Sequence, residues 1–179
     1  GRYDDALIVL ISDHGESFGE HNLIHHGHSL YQDQIRIPLI VRFPPQVPAG
    51  ARDPRPVALE QVPLLVTELA GLTDTPFPGR SVVGVAPHDG EGVAVSEVTR
   101  RRGIPEKWPT ASADLRSLQT EQWQLIVNDV GSAELYDLRA DPAQANNLAG
   151  DGHFADVLAR LQRRLVVEVR DPTPRARRE

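Results

Sequence analysis

The sequence predicts an α/β unit followed by a small antiparallel sheet closed by a terminal helix. A short apolar run, ALIVLI at 6–11, is flanked by polar residues; apolar positions recur at three- and four-residue steps over 57–72 and again over 154–169; and the stretch 93–138 alternates apolar with polar residues in short segments. An unbroken, β-branched run reads as a strand buried on both faces of a parallel sheet. A period near 3.6 reads as an amphipathic helix, and alternation as strands of an antiparallel sheet.

Each element has its own justification. The run at 6–11 is too short for a buried helix. The stretch 15–28 is polar and punctuated by Gly15, Gly19 and Gly27, so it reads as a loop containing a helical turn. A second apolar run, PLIVRFP at 38–44, closes against Pro44 and Pro45 as another strand, and residues 45–56 are a Pro- and Gly-rich connector. Leu59, Val62, Leu65, Val66 and Leu69 mark one helix, which Gly71 ends. The punctuated stretch 73–92 separates residues 1–90 from a smaller unit over 91–179. In that unit 93–98, 115–129 and 133–138 supply the small sheet, and Phe154, Val157, Leu158, Leu161, Leu165 and Val169 the terminal helix, beyond which DPTPRARRE reads as frayed.

Composition narrows the function. A chain of 179 residues, 40% hydrophobic, suits one ordinary soluble domain, or a domain plus a small appendage. The net charge of -6 argues against a nucleic-acid partner, because a phosphate-binding face needs a basic excess. No apolar stretch approaches the roughly 18 to 20 residues that span a bilayer, and GRYDD has no signal-peptide pattern, so no membrane segment is expected within these residues. Cysteine is absent, which excludes disulfides and thiol catalysis here and leaves the redox compartment open. With no methionine and a start close to a buried strand, the sequence reads as a fragment.

The chemistry gathers behind the first strand. LIVLISDHGESFGEHNLIHHGHSLY, at 7–31, holds five of the seven histidines with Asp13, Glu16 and Glu20. In open α/β sheets ligands bind beyond the carboxyl ends of strands, where Asp13 and His14 stand as half of a metal site. Calcium takes roughly six to eight oxygen-rich contacts and magnesium about six, so other ligands must come from elsewhere. His21, His25, His26 and His28 are within reach, yet spacing alone fits a solvated histidine-rich loop equally well, and Asp13 could simply cap the loop. A zinc site is less attractive, since there is no Cys and the histidines lack the i, i+4 spacing of a zincin helix.

LIVLISDHGESFGEH followed by HHGHSLYQDQIRIPLIVRFP resembles the C-terminal half of the sulfatase family, within the alkaline phosphatase superfamily. RSLQTEQWQLI and ELYDLRADPAQANNLA resemble that family's C-terminal subdomain, so the likeness spans almost the entire chain. The resemblance implies the C-terminal part of a sulfatase-like α/β sandwich over 1–90 and a small α+β subdomain over 91–179. It implies that Asp13 and His14 bind the active-site divalent cation, usually Ca2+, with Mn2+ or Mg2+ as alternatives. His26 falls where many members have a Lys that contacts sulfate or phosphate oxygens, which makes it the implied catalytic and substrate-binding residue, with His28 in a supporting, substrate-binding role.

The implied reaction is hydrolysis of a small-molecule or glycan sulfate ester. Sulfuryl transfer between oxygens depends mostly on positioning and on stabilising developing charge. The family's nucleophile, in a Cys/Ser-X-Pro-X-Arg motif, is not among these residues, so the chain is expected to supply half an active site and to need the N-terminal half of the same protein as its partner. A phosphoester or phosphonate hydrolase, a phosphoethanolamine-type transferase and a catalytically inactive fragment are the rival readings. Family members work in periplasmic, secreted, lysosomal or membrane-attached settings, and these residues carry no address. His21 and His25 read as surface histidines, Glu16 and Glu20 as supporting or solvated charges, and Trp123 and Tyr136 as core aromatics. Arg100–Arg102 read as a solvated turn or, alternatively, as lining for the substrate entrance, and Arg36 as the partner of a nearby carboxylate.

Overall fold

The computed structural model describes residues 2–72, 74, 76, 77, 82 and 92–170. The predicted boundary near residue 90 and the tail from 171 lie outside the described residues. After a one-turn helix α1 (Arg2–Asp5), β1 (Ile8–Ile11) pairs antiparallel with β4 (Leu39–Arg42), Ile8 opposite Arg42 and Ile11 opposite Leu39. This corrects the expectation of a parallel strand buried on both faces. Leu10 and Ile40 are direct partners across the ladder and are 53% and 60% exposed. Apolar composition reports how a strand is meant to be covered and not which way its neighbour runs. The run therefore marks the strand correctly and misstates the direction of this neighbour.

Between β1 and β4 lies the histidine-rich stretch. It holds a two-residue ladder, β2 (Ser17–Phe18) with β3 (Ile24–His25), around a 3-10 turn at Glu20–Asn22, then the short helix α2 (Gln32–Ile35). Beyond the Pro-rich connector the predicted helix begins as a 3-10 turn, Leu59–Gln61, and becomes α3 (Val62–Leu69). Pro63 occupies the first turn, where its missing N–H costs nothing. Gly71, at φ +74, closes the helix: its N–H bonds the Glu68 carbonyl (3.0 Å) and that of Leu72 the Thr67 carbonyl (2.9 Å), the paired bonds of a Schellman cap.

The predicted small sheet is present, and the segment 115–129 folds back on itself. The order is β5 (Ala94–Val98), β6 (Leu115–Gln119), β7 (Trp123–Asn128) and β8 (Ala133–Asp137), all antiparallel neighbours, with a short helix α4 (Pro109–Ser112) between β5 and β6. Thr120 turns β6 into β7, its N–H bonding the Trp123 carbonyl (2.8 Å) and its hydroxyl accepting from the Trp123 N–H (2.9 Å).

Leu118, Leu125 and Leu135 lie opposite one another in register, all at 0% exposure, and pack with Trp123 against Leu161 and Leu165 of α5 (Ala155–Arg170). Full burial of each such leucine stabilises by about 1.5–3 kcal/mol. The other face of the sheet carries Leu115, Ile126 and Tyr136, packed on Leu30 from the histidine-rich stretch. Both faces are therefore covered: α5 lies on one and residues 29–36 on the other. Trp123 and Tyr136 are core aromatics, as expected. Among the described residues no helix is long and apolar enough to cross a membrane.

Candidate active site

A polar network fastens the site loop to the sheet. Gln124 is fully buried; its side-chain amide donates to the Leu30 carbonyl (2.7 Å) and Ser117 Oγ (2.9 Å), and its oxygen accepts from the Gln32 (2.7 Å) and Gln144 (2.9 Å) amides. Gln144 Oε1 in turn accepts from the Gln32 backbone N–H (2.7 Å). Tyr31 and Tyr136 both donate to Glu134 Oε2, at 3.0 and 2.5 Å, and burial, with the neighbouring carboxylate, pushes both phenols far above their ordinary pKa, so they stay protonated donors.

Closer to the chemistry, Gln34 joins three segments. Its oxygen accepts from the His28 and Ser29 N–H groups (3.2 Å each), its amide donates to Ser17 Oγ (2.7 Å), and its own carbonyl accepts from the Gly15 N–H (2.8 Å). The Ser17 hydroxyl donates to the Asp33 carboxylate. At Gly15 an added Cβ would overlap the Asp33 carbonyl, so glycine alone lets the turn after His14 pass this close to α2.

Asp13 and His14 leave β1 side by side and converge. Asp13 Oδ1 accepts from the His14 N–H (3.0 Å), and Oδ2 lies 3.8 Å from His14 Nε2. His14 Nδ1 is 2.8 Å from the Gly15 carbonyl oxygen. Because a carbonyl only accepts, Nδ1 carries a proton, which leaves Nε2 as the ring nitrogen available to a metal. Two donors each about 2.1–2.5 Å from one ion stand roughly 3–4 Å apart, and a metal-bound imidazole characteristically donates its other N–H to a carbonyl or carboxylate. The oxygen and nitrogen donors of Asp13 and His14 fit a divalent cation on both counts.

His26 lies against His14, the ring centroids 3.9 Å apart and the planes 27° from parallel. Its Nδ1 is 2.7 Å from Glu16 Oε2, while His25 Nδ1 is 3.6 Å from Glu16 Oε1. The hydrogen bond from His26, with added charge from the neighbouring histidines, holds the Glu16 carboxyl below the usual range against partial desolvation. One ligand-capable atom from each of His14, Glu16 and His26 lies within 4.8 Å of the others. Asp13 and His14 also line a broad cleft of about 2070 Å³, whose walls include Arg42, Arg55, Ser96 and Gln119.

The residues singled out from the sequence separate clearly. Asp13 meets His14, and His14 meets His26; of the described residues, the three side chains whose ligand-capable atoms come together are His14, Glu16 and His26, and Asp13 is not among them. His28 does not join them: it is buried, its ring 3.9 Å from that of Trp108, and burial first and the charge of Arg101 second hold its pKa below the ordinary histidine value. His25 is exposed, and His21 stacks on Tyr31 at 3.8 Å. Glu20 accepts from the Phe18 N–H (2.6 Å). Glu16, one of the two carboxylates expected to be supporting or solvated charges, pairs with His26 ten residues on, a partner that depends on how the loop closes and leaves no signal in the sequence. Arg36 corrects an expectation: it is exposed, lines the same broad cleft, and has no carboxylate partner among the described residues.

A family model described as N-sulphoglucosamine sulphohydrolase, C-terminal, matches residues 19–171. The chain belongs to the sulfatase family. Within that sulfatase family it is 33% identical over 176 residues to the Escherichia coli (strain K12) protein named uncharacterized sulfatase YidJ, covering 94% of this chain and 34% of that one. Its fold is similar to the solved structure of BT4656 in complex with its substrate D-glucosamine-2-N,6-O-disulfate, with a TM-score of 0.73, 25% identity and coverage of 99% of this chain and 37% of that one. It is similar to the same degree to the phosphonate monoester hydrolase SpPMH from Silicibacter pomeroyi, at TM-score 0.73 and 26% identity over 99% of this chain and 37% of that one. This sulfatase chain spans about a third of the length of the curated relatives it matches.

Proposed function

We propose that this chain is the C-terminal part of a hydrolase of sulfate esters, residues 1–90 completing its catalytic α/β domain and 91–179 forming its small subdomain. The observation that carries the reading is the approach of Asp13 Oδ2 to His14 Nε2 (3.8 Å), with His14 Nδ1 held at the Gly15 carbonyl and His26 stacked alongside. A neighbour of the same fold solved with a glucosamine disulfate substrate supports a sulfated glycan, or a smaller sulfate ester, as the substrate class.

Asp13 and His14 hold a divalent cation, calcium by family resemblance, with manganese or magnesium as alternatives. Such an ion, when bound, supplies Lewis-acid stabilisation of charge on the reacting oxygens. The bond from His14 Nδ1 to the Gly15 carbonyl keeps the ring in one tautomer and one orientation. Glu16 does the same for His26, leaving His26 Nε2 to meet an oxygen of the group being transferred and, when protonated, to donate to it. His28 acts from behind, supporting the loop through Trp108. The nucleophile comes from the N-terminal half of the same protein, so these residues alone do not turn over substrate.

Hydrolysis of a phosphonate or phosphate ester is the second reading, favoured by the equally close likeness to a phosphonate monoester hydrolase. Calorimetric titration of the full-length protein with calcium and with manganese, beside turnover of 4-nitrophenyl sulfate and 4-nitrophenyl phenylphosphonate, tests both. Saturable cation binding that weakens at least about tenfold in Asp13→Asn and in His14→Ala is expected, with turnover of the sulfate ester exceeding that of the phosphonate. Cation affinity indifferent to both substitutions contradicts the metal assignment, and preference for the phosphonate replaces the first reading with the second.

A further inference from the structure

Arg101 lies next to the site and is not explained by it. It is exposed, and among the described residues its guanidinium has no carboxylate partner. Its backbone is nonetheless pinned: the Arg101 N–H bonds the Thr110 carbonyl (2.8 Å), the Thr110 N–H bonds the His28 carbonyl (3.2 Å), and the Trp108 ring packs against that of His28 at a tilt of 36°. The segment that carries Arg101 is thus stitched to the histidine-rich loop by two backbone hydrogen bonds and a ring contact. Gly27, which follows His26 directly, adopts φ +75, and a Cβ added there would be 3.2 Å from Arg101 Nη1. A bare backbone at Gly27 therefore lets the guanidinium lie against the loop one residue away from the cluster of His14, Glu16 and His26.

A planar guanidinium offers five donors in a fork that matches an oxyanion, and it cannot lose its charge. On a chain with a net charge of -6, an unpaired, positioned arginine beside the site is a specific anion-attracting point.

We propose that Arg101 forms a subsite for a second anionic group of the substrate, an oxyanion such as a sulfate, phosphate or carboxylate carried on the part of the ester that leaves. The inference rests on the reading of the neighbouring cluster as the site of ester hydrolysis, and it gives the C-terminal subdomain a share in choosing the substrate.

The test uses the full-length protein and its Arg101→Ala and Arg101→Lys variants, with thermal melts confirming that each is folded. The probes are 4-nitrophenyl sulfate, whose leaving group carries no second charge before cleavage, and phenyl sulfates bearing a carboxylate or a sulfonate at the 3- or 4-position of the ring. In Arg101→Ala the ratio of kcat/KM for a doubly charged ester to that for 4-nitrophenyl sulfate falls about tenfold, through KM and not kcat, and Arg101→Lys recovers part of it because it keeps the charge and loses the fork. A ratio unchanged for every ring isomer overturns the subsite, as does an equal loss on all the esters, which would place Arg101 on the group being cleaved. Calorimetric binding of the same esters separates the two readings. If no sulfate ester is turned over, the hydrolytic assignment fails, yet a loss of affinity in Arg101→Ala confined to the doubly charged esters still upholds the subsite, and its absence refutes it.

Discussion

Replacing Gln124 with Leu keeps the volume of a fully buried side chain and removes the centre of the amide network between the site loop and the sheet. Gln124 makes four side-chain hydrogen bonds, to the Leu30 carbonyl, Ser117 Oγ, and the amides of Gln32 and Gln144. Gln32 retains a second acceptor, Gln119 Oε1 at 3.0 Å, so three bonds go without a substitute. At about 1 kcal/mol each, with a further penalty because Gln144 stays buried with its amide unmet, the expected loss is about 3–4 kcal/mol. Guanidinium unfolding followed by tryptophan fluorescence reads it as a lower midpoint at unchanged slope. Gln119→Ala, which removes one half-exposed bond, serves as the control and costs about 1 kcal/mol or less. A Gln124→Leu protein within 1 kcal/mol of the parent, or strict additivity of Gln124→Leu with Gln32→Ala in a double-mutant cycle, would refute the claim that the network holds the loop.

Gly15→Ala forces the chain away from the Asp33 carbonyl, and calorimetry with calcium or manganese should show weakened cation binding together with a lower melting temperature. Glu16→Ala frees the His26 ring and is expected to lower kcat about 10- to 100-fold, with Glu16→Gln partly restoring it through its remaining acceptor oxygen. Leu135→Ala opens a cavity against α5 and should cost about 2–5 kcal/mol in chemical unfolding, with the site chemistry unaffected in the folded fraction. The Asn146 and Ala145 N–H groups hold the Asp141 carboxyl below its ordinary pKa. A carboxyl lowered in the folded state lends stability above the unfolded value and loses it as the pH falls through the folded one. Asp141→Asn should therefore flatten the fall in stability below about pH 4 in a pH-resolved melting series.

How much of this was legible in the sequence depends on whether a residue's role is local. The Gly71 cap, the leucines facing α5 and the contact between the side chains of Asp13 and His14 follow from periodicity or from adjacency, and the structure has all three. The polar face of the sheet was not legible. Ser117, Gln124 and Glu134 alternate with apolar residues and look like a solvent side, yet Gln124 is completely buried because the covering layer, residues 29–36, is itself polar. Amide-to-amide pairing across some ninety positions leaves no periodic trace. The link from Glu16 to His26 was hidden for the same reason, and so was the approach of Arg101 to Gly27, which joins two loops with no sequence relation. The pairing of β1 with β4 escaped because composition speaks of cover and is silent on direction.

The open rungs of β1 and β4 bear on how these residues behave as a preparation. An isolated pair of four-residue strands is marginal in water, and this one presents Leu10 and Ile40 on its flank, with Phe18 at 84% exposure on the neighbouring hairpin. Free strand edges beside bare hydrocarbon template the addition of further chains. In isolation the polypeptide should accordingly be a poor colloid, its light scattering climbing with protein concentration and with kosmotropic salt.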